Sequence, residues 1–319
     1  MKDMVVAVDL GGTNVRAALC NMSGQILNLV SRPTLAYEGS ERVFSRISMS
    51  IREVGGDWSR VRGIGLGAPG PLDPWRGVIL EAPNLPGMAN FAMKEALENA
   101  FHVPAFVGND ANMAALGEHR YGAGRGVPHM VYMTISTGIG GGIIVDGKLA
   151  LGWRGFAGEV GHQTLEARGP RCNCGNVGCL EVLASGPAIA RDARDGLAAG
   201  RESRLRILAQ GDPDHITGVM VTQAATEGDE FAREVLERAG FYVGLGIVNL
   251  LHILDTELFV LGGGVAMHAW DFLHPSILKT FDQYAMQSMR RGVRMVRAEL
   301  GDDVGLVGVA ALVLDETQA

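Results

Sequence analysis

The chain has 319 residues, of which 47% are hydrophobic and 20% are charged, and its net charge is −7. This composition allows a large core divided over two domains and excludes a wholly disordered chain. The acidic balance gives no support for a polyanionic partner, so binding to nucleic acid is not expected. The longest apolar region, residues 241–254, is broken by glycines and polar residues and is too short to cross a membrane. Because no signal-peptide pattern is present, the sequence predicts a cytoplasmic protein.

The first part of the chain alternates short apolar runs with turns and helical patterns. Between residues 40 and 54, for example, Val43, Ile47 and Ile51 follow the spacing of a helix. The predicted elements are, in order, strands at 4–8, 15–19 and 26–30, a helix at 40–54, a strand at 61–66, a helix at 89–101, a strand at 105–107 and a helix at 111–121.

A strand, a glycine-rich turn and a second strand recur at 131–145, which indicates a weak internal duplication of one α/β unit. Later elements are predicted as helices at 186–199, from 223 onward and at 230–254, a strand at 257–261 and a buried helix at 305–314. The repeat places a small α/β domain at residues 1–118 and a larger one at 119–304, with the final helix, about 305–319, packing back on the first. The basic residues Arg290, Arg291, Arg294 and Arg297 are interpreted as a solvated face near the end of a helix.

Four potential metal ligands lie within twenty residues: His162, Cys172, Cys174 and Cys179. One imidazole and three thiols form a closed tetrahedral zinc shell, which leaves no open position for a substrate water, so the predicted metal is structural. The alternative is a disulfide loop with one unpaired thiol. The Cys-x-Cys spacing disfavours it, because that geometry is cramped for a disulfide.

Three loops rich in glycine and hydroxyl residues follow predicted strands. The first is Asp9-Leu10-Gly11-Gly12-Thr13, the second spans 134–142 with Thr137 and Gly138, and the third is Gly262-Gly263-Gly264. Glycines let backbone amides approach phosphate oxygens, and Asp9 would need a Mg²⁺ ion between itself and the phosphates. A plain glycine hairpin is the alternative for any one loop, whereas three together favour a nucleotide site.

Several polar residues are candidates for substrate chemistry. Asp110 follows a predicted strand and opens a helix, where it could accept a proton from an attacking hydroxyl; an N-cap is the alternative for Asn109 or Asp110. Glu159 and Glu181 flank the predicted zinc loop and could accept hydrogen bonds from vicinal sugar hydroxyls. The alternative is that they support the metal ligands or lie on the surface.

Together these motifs resemble the ROK family of sugar kinases and repressors, most closely its glucokinase branch. The likeness rests on the Asp9 loop, Gly108-Asn109-Asp110-Ala111-Asn112, Glu159-Val160-Gly161-His162, the cysteine segment ending at Glu181, and residues 261–265. It implies two ribonuclease-H-like domains of the actin/hexokinase type that flank a nucleotide and sugar cleft, with a zinc-binding loop at 162–181. It also implies MgATP as the donor and a homodimer or homotetramer.

The resemblance assigns roles to individual residues, with Asp110 as catalytic base. The residues it implies for the sugar are Gly70, Asn84, Asn109, Asp110, Glu159, His162 and Glu181. Those it implies for the nucleotide are Asp9, Gly11, Gly12, Thr13, Thr137, Gly138 and Gly263. The expected function is ATP-dependent phosphorylation of a hexose, most simply glucose at its 6-hydroxyl. The alternatives are a kinase for N-acetylglucosamine, mannose or fructose, a donor such as polyphosphate, and a sugar-responsive transcription regulator.

Overall fold

The structure, a computed structural model, describes residues 2–81 and 85–318, and it is a mixture of helices and strands. The strands are β1 Met4–Leu10, β2 Asn14–Asn21, β3 Ile26–Pro33, β4 Val61–Ala68, β5 Leu72–Asp73, β6 Val78–Ile79, β7 Phe91–Ala92, β8 Ala105–Asn109, β9 Met130–Ile135, β10 Ile139–Val145, β11 Lys148–Leu149, β12 Leu258–Gly262 and β13 Arg294–Arg297. The helices are α1 Ser40–Val54, α2 Met93–Phe101, α3 Asp110–Tyr121, α4 Leu180–Ala184, α5 Gly186–Ala198, α6 Leu205–Leu208, α7 Gly218–Thr226, α8 Glu230–Leu254, α9 Gly264–His268, α10 Trp270–Tyr284 and α11 Val304–Gln318.

The chain divides into two compact units. Unit 1 contains the chain up to Pro128, residues 142–158 and the chain from Glu299 onward, whereas unit 2 contains residues 129–141 and 159–298. The division at 118/119 that the sequence suggested remains a prediction.

Unit 1 is built on a sheet with the strand order β3-β2-β1-β4-β8, in which β1, β4 and β8 run parallel. Both faces of β1 are buried because its side chains alternate between two cores. Val6 and Val8 pack in the core that contains Ile47 of α1, whereas Val5 and Ala7 pack with residues of α11. The final helix therefore contributes directly to the core of unit 1.

Unit 2 contains the parallel strands β9, β12 and β13, which belong to a sheet with the order β11-β10-β9-β12-β13. Its longest helix, α8, packs closely on α10 at two glycines. A Cβ atom at Gly240 would lie 2.7 Å from the carbonyl oxygen of Leu273, and one at Gly244 would lie 2.7 Å from Cβ of Thr280. Close packing of the two helices therefore explains glycine at these positions, because the packing offsets the low helix propensity of glycine.

The α/β fold class predicted from the sequence is confirmed, and α8 begins and ends at the predicted residues. The two five-stranded sheets have the same relative strand order, as the repeat in the sequence suggests. In the described ranges, no helix combines the length and the apolar composition that a membrane span requires.

The interpretation of the basic cluster as a solvated face near a helix end holds for Arg290, which follows a 3-10 helix at Gln287–Met289, but it is wrong for Arg294 and Arg297. Residues Arg294–Arg297 form β13, which pairs with β12 at the edge of its sheet, and the last α-helix before it, α10, ends at Tyr284. The two arginines that bound this strand are exposed, while Met295 and Val296 between them are partly covered. Charged residues are common on edge strands because they discourage pairing with other chains.

Candidate active site and metal centre

The loop after β1 has an exposed tip, and Thr34 holds its backbone through hydrogen bonds. Gly12 and Thr13 are exposed, and the amide of Gly11 donates to the carbonyl of Asn14 at 2.9 Å, which closes a tight turn. Thr34, a fully buried residue at the end of β3, holds the loop through two hydrogen bonds. Its hydroxyl donates to the carbonyl of Gly11 at 2.7 Å, and its amide donates to the carbonyl of Thr13 at 2.8 Å.

Asp9 lies at the carboxyl end of β1, directly before this loop, and is paired in register with Arg16 on β2. Burial raises the pKa of the Asp9 carboxyl, an effect that the nearby charge of Arg16 partly opposes. Arg16 is itself shared, because its guanidinium donates to the carbonyl of Asp302 at 2.6 Å and pairs with Asp303. A cation beside Asp9 would offset the free-energy cost of its buried charge, so the Asp9 carboxylate is suited to bind a divalent metal ion.

Asn109 and Asp110 form the junction between β8 and α3. The side-chain oxygen of Asn109 accepts hydrogen bonds from the amides of Ala111 and Asn112 at 3.0 and 3.1 Å, so Asn109 is the N-cap of the helix. Asp110 is the first helical residue; it is exposed, and its carboxylate accepts the Ala111 amide at 2.8 Å. The capping alternative considered for this pair therefore applies to Asn109, whereas Asp110 is an exposed residue at the first position of the helix.

The predicted residues of unit 1 share one edge of its sheet. Asp9, Gly70 and Asn109 lie at or just beyond the carboxyl ends of β1, β4 and β8, which are adjacent parallel strands. Gly70 is also close to the helix cap, since a Cβ atom there would lie 3.3 Å from Nδ2 of Asn109. Open α/β sheets bind ligands at such edges. Asn84, the remaining sugar-site prediction on this part of the chain, lies outside the described residues.

In unit 2, the four predicted metal ligands converge. One ligand atom from each of His162, Cys172, Cys174 and Cys179 lies within 4.8 Å of the others. The sulfurs of Cys174 and Cys179 are 3.7 Å apart, and Cys172 Sγ is 3.8 Å from His162 Nδ1. Tetrahedral zinc with bonds of about 2.3 Å to sulfur requires sulfurs about 3.8 Å apart, so the donor set fits the metal. The alternative of a disulfide loop is excluded, since all four cysteines of the chain are free thiols.

The backbone between these ligands folds into consecutive short turns, one of which requires glycine. The amide of Cys172 donates to the carbonyl of Asn176 at 2.8 Å, and that of Gly178 donates to the carbonyl of Pro170 at 2.8 Å. Gly178 has φ of +64°, and a Cβ atom there would lie 1.7 Å from the carbonyl oxygen of Glu166. Burial raises the pKa of the Cys179 thiol to about 12, so metal binding at this thiol displaces a proton.

Glu159 lies near Nε2 of His162, the ring nitrogen other than the one that faces Cys172. Nε2 of His162 is 3.8 Å from Oε2 of Glu159, across one turn of 3-10 helix at Val160–His162. His162 thus directs Nδ1 to the metal ligands and Nε2 to a half-exposed carboxylate. The distance from Nε2 to Oε2 is too long for a hydrogen bond, and both side chains are accessible from solvent.

Glu181, on the first turn of α4, connects the metal segment to the glycine-rich loop before β10. Its Oε2 accepts the Ile139 amide at 2.9 Å, and its Oε1 is 3.8 Å from Sγ of Cys172. A Cβ atom at Gly138 would lie 2.6 Å from the same Oε2, so glycine is needed there for the carboxylate to reach the loop. Thr137 beside it is exposed.

The third glycine loop packs on the end of the neighbouring strand. Gly263 has φ of +84°, and a Cβ atom at this position would lie 2.5 Å from the carbonyl oxygen of Ile135 and 2.6 Å from Oγ1 of Thr134. Thr134 and Gly262 are paired in register on β9 and β12. Unit 2 therefore brings Thr137, Gly138 and Gly263 to the carboxyl ends of two adjacent strands.

Comparison with known proteins places this arrangement in a family. Residues 5–316 match the sequence profile of the ROK family. The chain belongs to the ROK family. A glucokinase from Thermotoga maritima is 36% identical over 309 residues, which are 97% of this chain and 96% of that protein.

Two solved ROK structures resemble the whole chain. The ROK hexokinase from Thermus thermophilus superposes with a TM-score of 0.84 at 38% identity and covers 99% of both chains. A ROK family glucokinase from Streptomyces griseus, solved in complex with glucose and AMPPNP, superposes with a TM-score of 0.82 at 34% identity over 97% of this chain and 98% of that one. The predicted actin/hexokinase type of α/β fold is confirmed by this likeness.

Reasoning from the sequence missed one residue that shapes this ROK site. Thr34 follows Pro33 and sits 21 positions after Thr13, with no glycine or charge to mark it. Its role depends on the antiparallel pairing of β2 and β3, which brings the end of β3 back to the Asp9 loop through the pairing of Asn14 with Pro33. A β-bulge between Leu19 and Cys20 shifts this register by one residue, so counting from the predicted Ser23-Gly24 turn would pair Thr13 with Pro33 and miss Thr34.

Proposed function

We propose that this protein transfers the γ-phosphoryl group of ATP to the 6-hydroxyl of glucose. Membership of the ROK family and the likeness to glucokinases along nearly the whole chain support an ATP-dependent sugar kinase. The observation that carries the mechanism is the exposed carboxylate of Asp110, fixed at the first turn of α3 on the same sheet edge as the Asp9 loop.

Asp110 serves as the general base. Phosphoryl transfer asks little covalent chemistry of the protein, so a carboxylate within hydrogen-bond reach of the attacking hydroxyl is sufficient. The cap formed by Asn109 fixes the backbone of Asp110, and the following eight residues of α3 are buried, which holds the carboxylate on a rigid support.

The residues proposed to bind the nucleotide are Asp9, Gly11, Gly12, Thr13, Thr137, Gly138 and Gly263. In the Asp9 loop, Thr34 engages the carbonyls of Gly11 and Thr13 from behind, which orients the turn for amide contacts with phosphate. Asp9 would hold the Mg²⁺ ion that accompanies ATP, and this ion would neutralise part of the phosphate charge.

The sugar is recognised by Gly70, Asn84, Asn109 and Asp110 together with Glu159, His162 and Glu181. Carboxylates and an imidazole held by a closed metal segment present fixed acceptors to vicinal hydroxyls, and a hexose that lacks or inverts one hydroxyl leaves a partner unsatisfied. Zinc at His162 and the three cysteines is structural, since its four protein ligands complete its shell.

The test is release of ADP, coupled to an indicator enzyme, with a panel of glucose, mannose, fructose and N-acetylglucosamine at fixed MgATP. Glucose should give the highest kcat/KM, and Asp110→Asn should lower kcat by about a thousandfold or more while sugar binding is retained. Asp282→Asn, an exposed aspartate on α10, is the matched control and should behave as wild type. Equal rates for wild type and Asp110→Asn would remove Asp110 from the role of base.

The proposal also specifies the phosphoryl donor, the oligomeric state and the cellular location. ATP is the donor rather than polyphosphate, which the same assay decides by exchanging the donor. The protein forms a homodimer or homotetramer, measured by sedimentation, and acts in the cytoplasm, where thiol ligands for zinc stay reduced.

A further inference from the structure

Glu118 is a fully buried carboxylate in unit 1 for which the proposed mechanism has no use. It lies in the last turns of α3, the helix that begins at Asp110. Its Oε2 accepts the amide of Ala123 at 2.9 Å, and its Oε1 accepts the amides of Glu299 and Leu300, each at 2.9 Å. A buried charge is costly unless hydrogen-bonded, and here three backbone donors satisfy it.

The three amides belong to the two segments that lead between the units. The chain leaves unit 1 after Pro128, five residues beyond Ala123, and it returns to unit 1 at Glu299 itself. One side chain therefore binds the outgoing segment and the returning segment on their unit 1 side. These are two of the four places at which the chain passes from one unit to the other.

The helix that carries Glu118 is held by backbone packing as well as by side chains. A Cβ atom at Gly117 would lie 2.8 Å from the carbonyl oxygen of Val304, and one at Gly308 would lie 1.7 Å from the carbonyl oxygen of Met113. Two glycines thus allow α3 and α11 to touch backbone to backbone. Interiors packed this tightly transmit displacement instead of absorbing it.

We propose that Glu118 is a positioning residue, which fixes both connecting segments to the helix that presents Asp110. The inference rests on the proposed function, because it concerns how the helix that carries the proposed base is held. Efficient transfer requires Asp110 to stay in line with the acceptor hydroxyl, and a loosened connection would spoil that alignment without removing a ligand.

The proposed role of Glu118 requires two acceptor oxygens, one for the amide of Ala123 and one for the amides of Glu299 and Leu300, as well as a side chain of this size. In Glu118→Gln, one oxygen can still accept the amides of Glu299 and Leu300, but an NH₂ group then faces the N–H of Ala123. This variant breaks one connection and keeps the shape of the side chain. Glu118→Ala breaks all three bonds and should have the larger effect.

The experiment compares wild type, Glu118→Gln, Glu118→Ala and the exposed-residue control Glu41→Gln by kinetics, melting temperature and hydrogen exchange. At a temperature where each variant is folded by circular dichroism, Glu118→Gln should lower kcat by about ten- to a hundredfold and leave the KM for ATP within about twofold. Its amide exchange should accelerate around residue 123 but not across β1. Should Glu118→Ala fail to fold, the Gln variant carries the test.

Two outcomes overturn the proposal: a folded Glu118→Gln variant with the kcat of wild type, or exchange around residue 123 at the wild-type rate. A lowered melting temperature with unchanged kcat would make Glu118 a structural residue only, which also refutes it. Failure of the proposed function is separate, because wild type would then phosphorylate none of the hexoses, while the exchange measurement would still report whether Glu118 holds the segments.

Discussion

Thr34 offers a direct test of how the phosphate loop is held. Thr34→Val keeps the β-branched shape but removes the hydroxyl that donates to the carbonyl of Gly11 at 2.7 Å. Leaving an acceptor without its donor costs about 1–3 kcal/mol when the site is buried. This bond is only partly buried, so a cost near the lower end, about 1.4 kcal/mol, is expected, and that corresponds to roughly a tenfold change in an equilibrium.

The serine variant separates loop geometry from stability. Thr34→Ser keeps the hydroxyl and loses one buried methyl group, at a cost of about 1 kcal/mol, so both variants should melt at similarly reduced temperatures. Only the valine variant should raise the KM for ATP, by roughly tenfold at saturating glucose, because a loop that is ordered less of the time binds more weakly. A valine variant with the wild-type KM, or a serine variant that raises KM equally, would refute the reasoning.

Three further predictions concern charge, metal and backbone. Burial raises the pKa of Asp9 above its ordinary 3.8, so the ionised carboxylate destabilises the fold at neutral pH. Asp9→Asn should therefore raise the melting temperature of nucleotide-free protein at pH 7 and abolish turnover. The stability advantage of this variant over wild type should disappear as the pH falls towards 3.8. Chelation or Cys174→Ser should remove zinc, measured by elemental analysis, and lower the melting temperature by roughly 5 °C or more; active, fully stable protein without zinc would contradict this. Gly178→Ala should destabilise by about 3 kcal/mol or more, because its Cβ would meet the carbonyl of Glu166, whereas Gly175→Ala, with φ of +91° and no described atom within 4 Å, should cost only about 1 kcal/mol in denaturant melts.

Elements with a strong pattern were predictable from the sequence, whereas short elements, edge strands and helix α10, which contains Pro275, were not. Helix α8 has apolar residues at helical spacing along 25 residues and an aspartate N-cap, so both its ends could be read directly. Strands β5, β6 and β7 have two residues each, too few for any periodicity, and they were missed. Strand β13 was misread because arginines bound its four residues, and its strand character comes from pairing with β12.

The residues of the candidate site also differ in whether local sequence or tertiary packing determines them. Metal ligands could be predicted because zinc imposes both residue type and close spacing, and the four side chains do converge. Thr34 and Glu118 could not, because each acts on backbone groups distant in sequence: Glu118 reaches amides 181 and 182 positions away. A hydrogen bond of that kind depends on tertiary packing, which local pattern does not encode.

The cap formed by Asn109 does not compete with a role in binding sugar. Its Oδ1 is occupied by the amides of Ala111 and Asn112, and this fixes the side chain in one orientation. Nδ2 then points to the side where Gly70 approaches, and a Cβ at position 70 would be 3.3 Å from it. A donor fixed in this way, next to a glycine that leaves room beside it, can be offered to a hydroxyl at little entropic cost. Under the proposed function, the same cap that starts α3 would position both Asn109 and Asp110 for the acceptor, so the capping role and the proposed role of this pair are compatible.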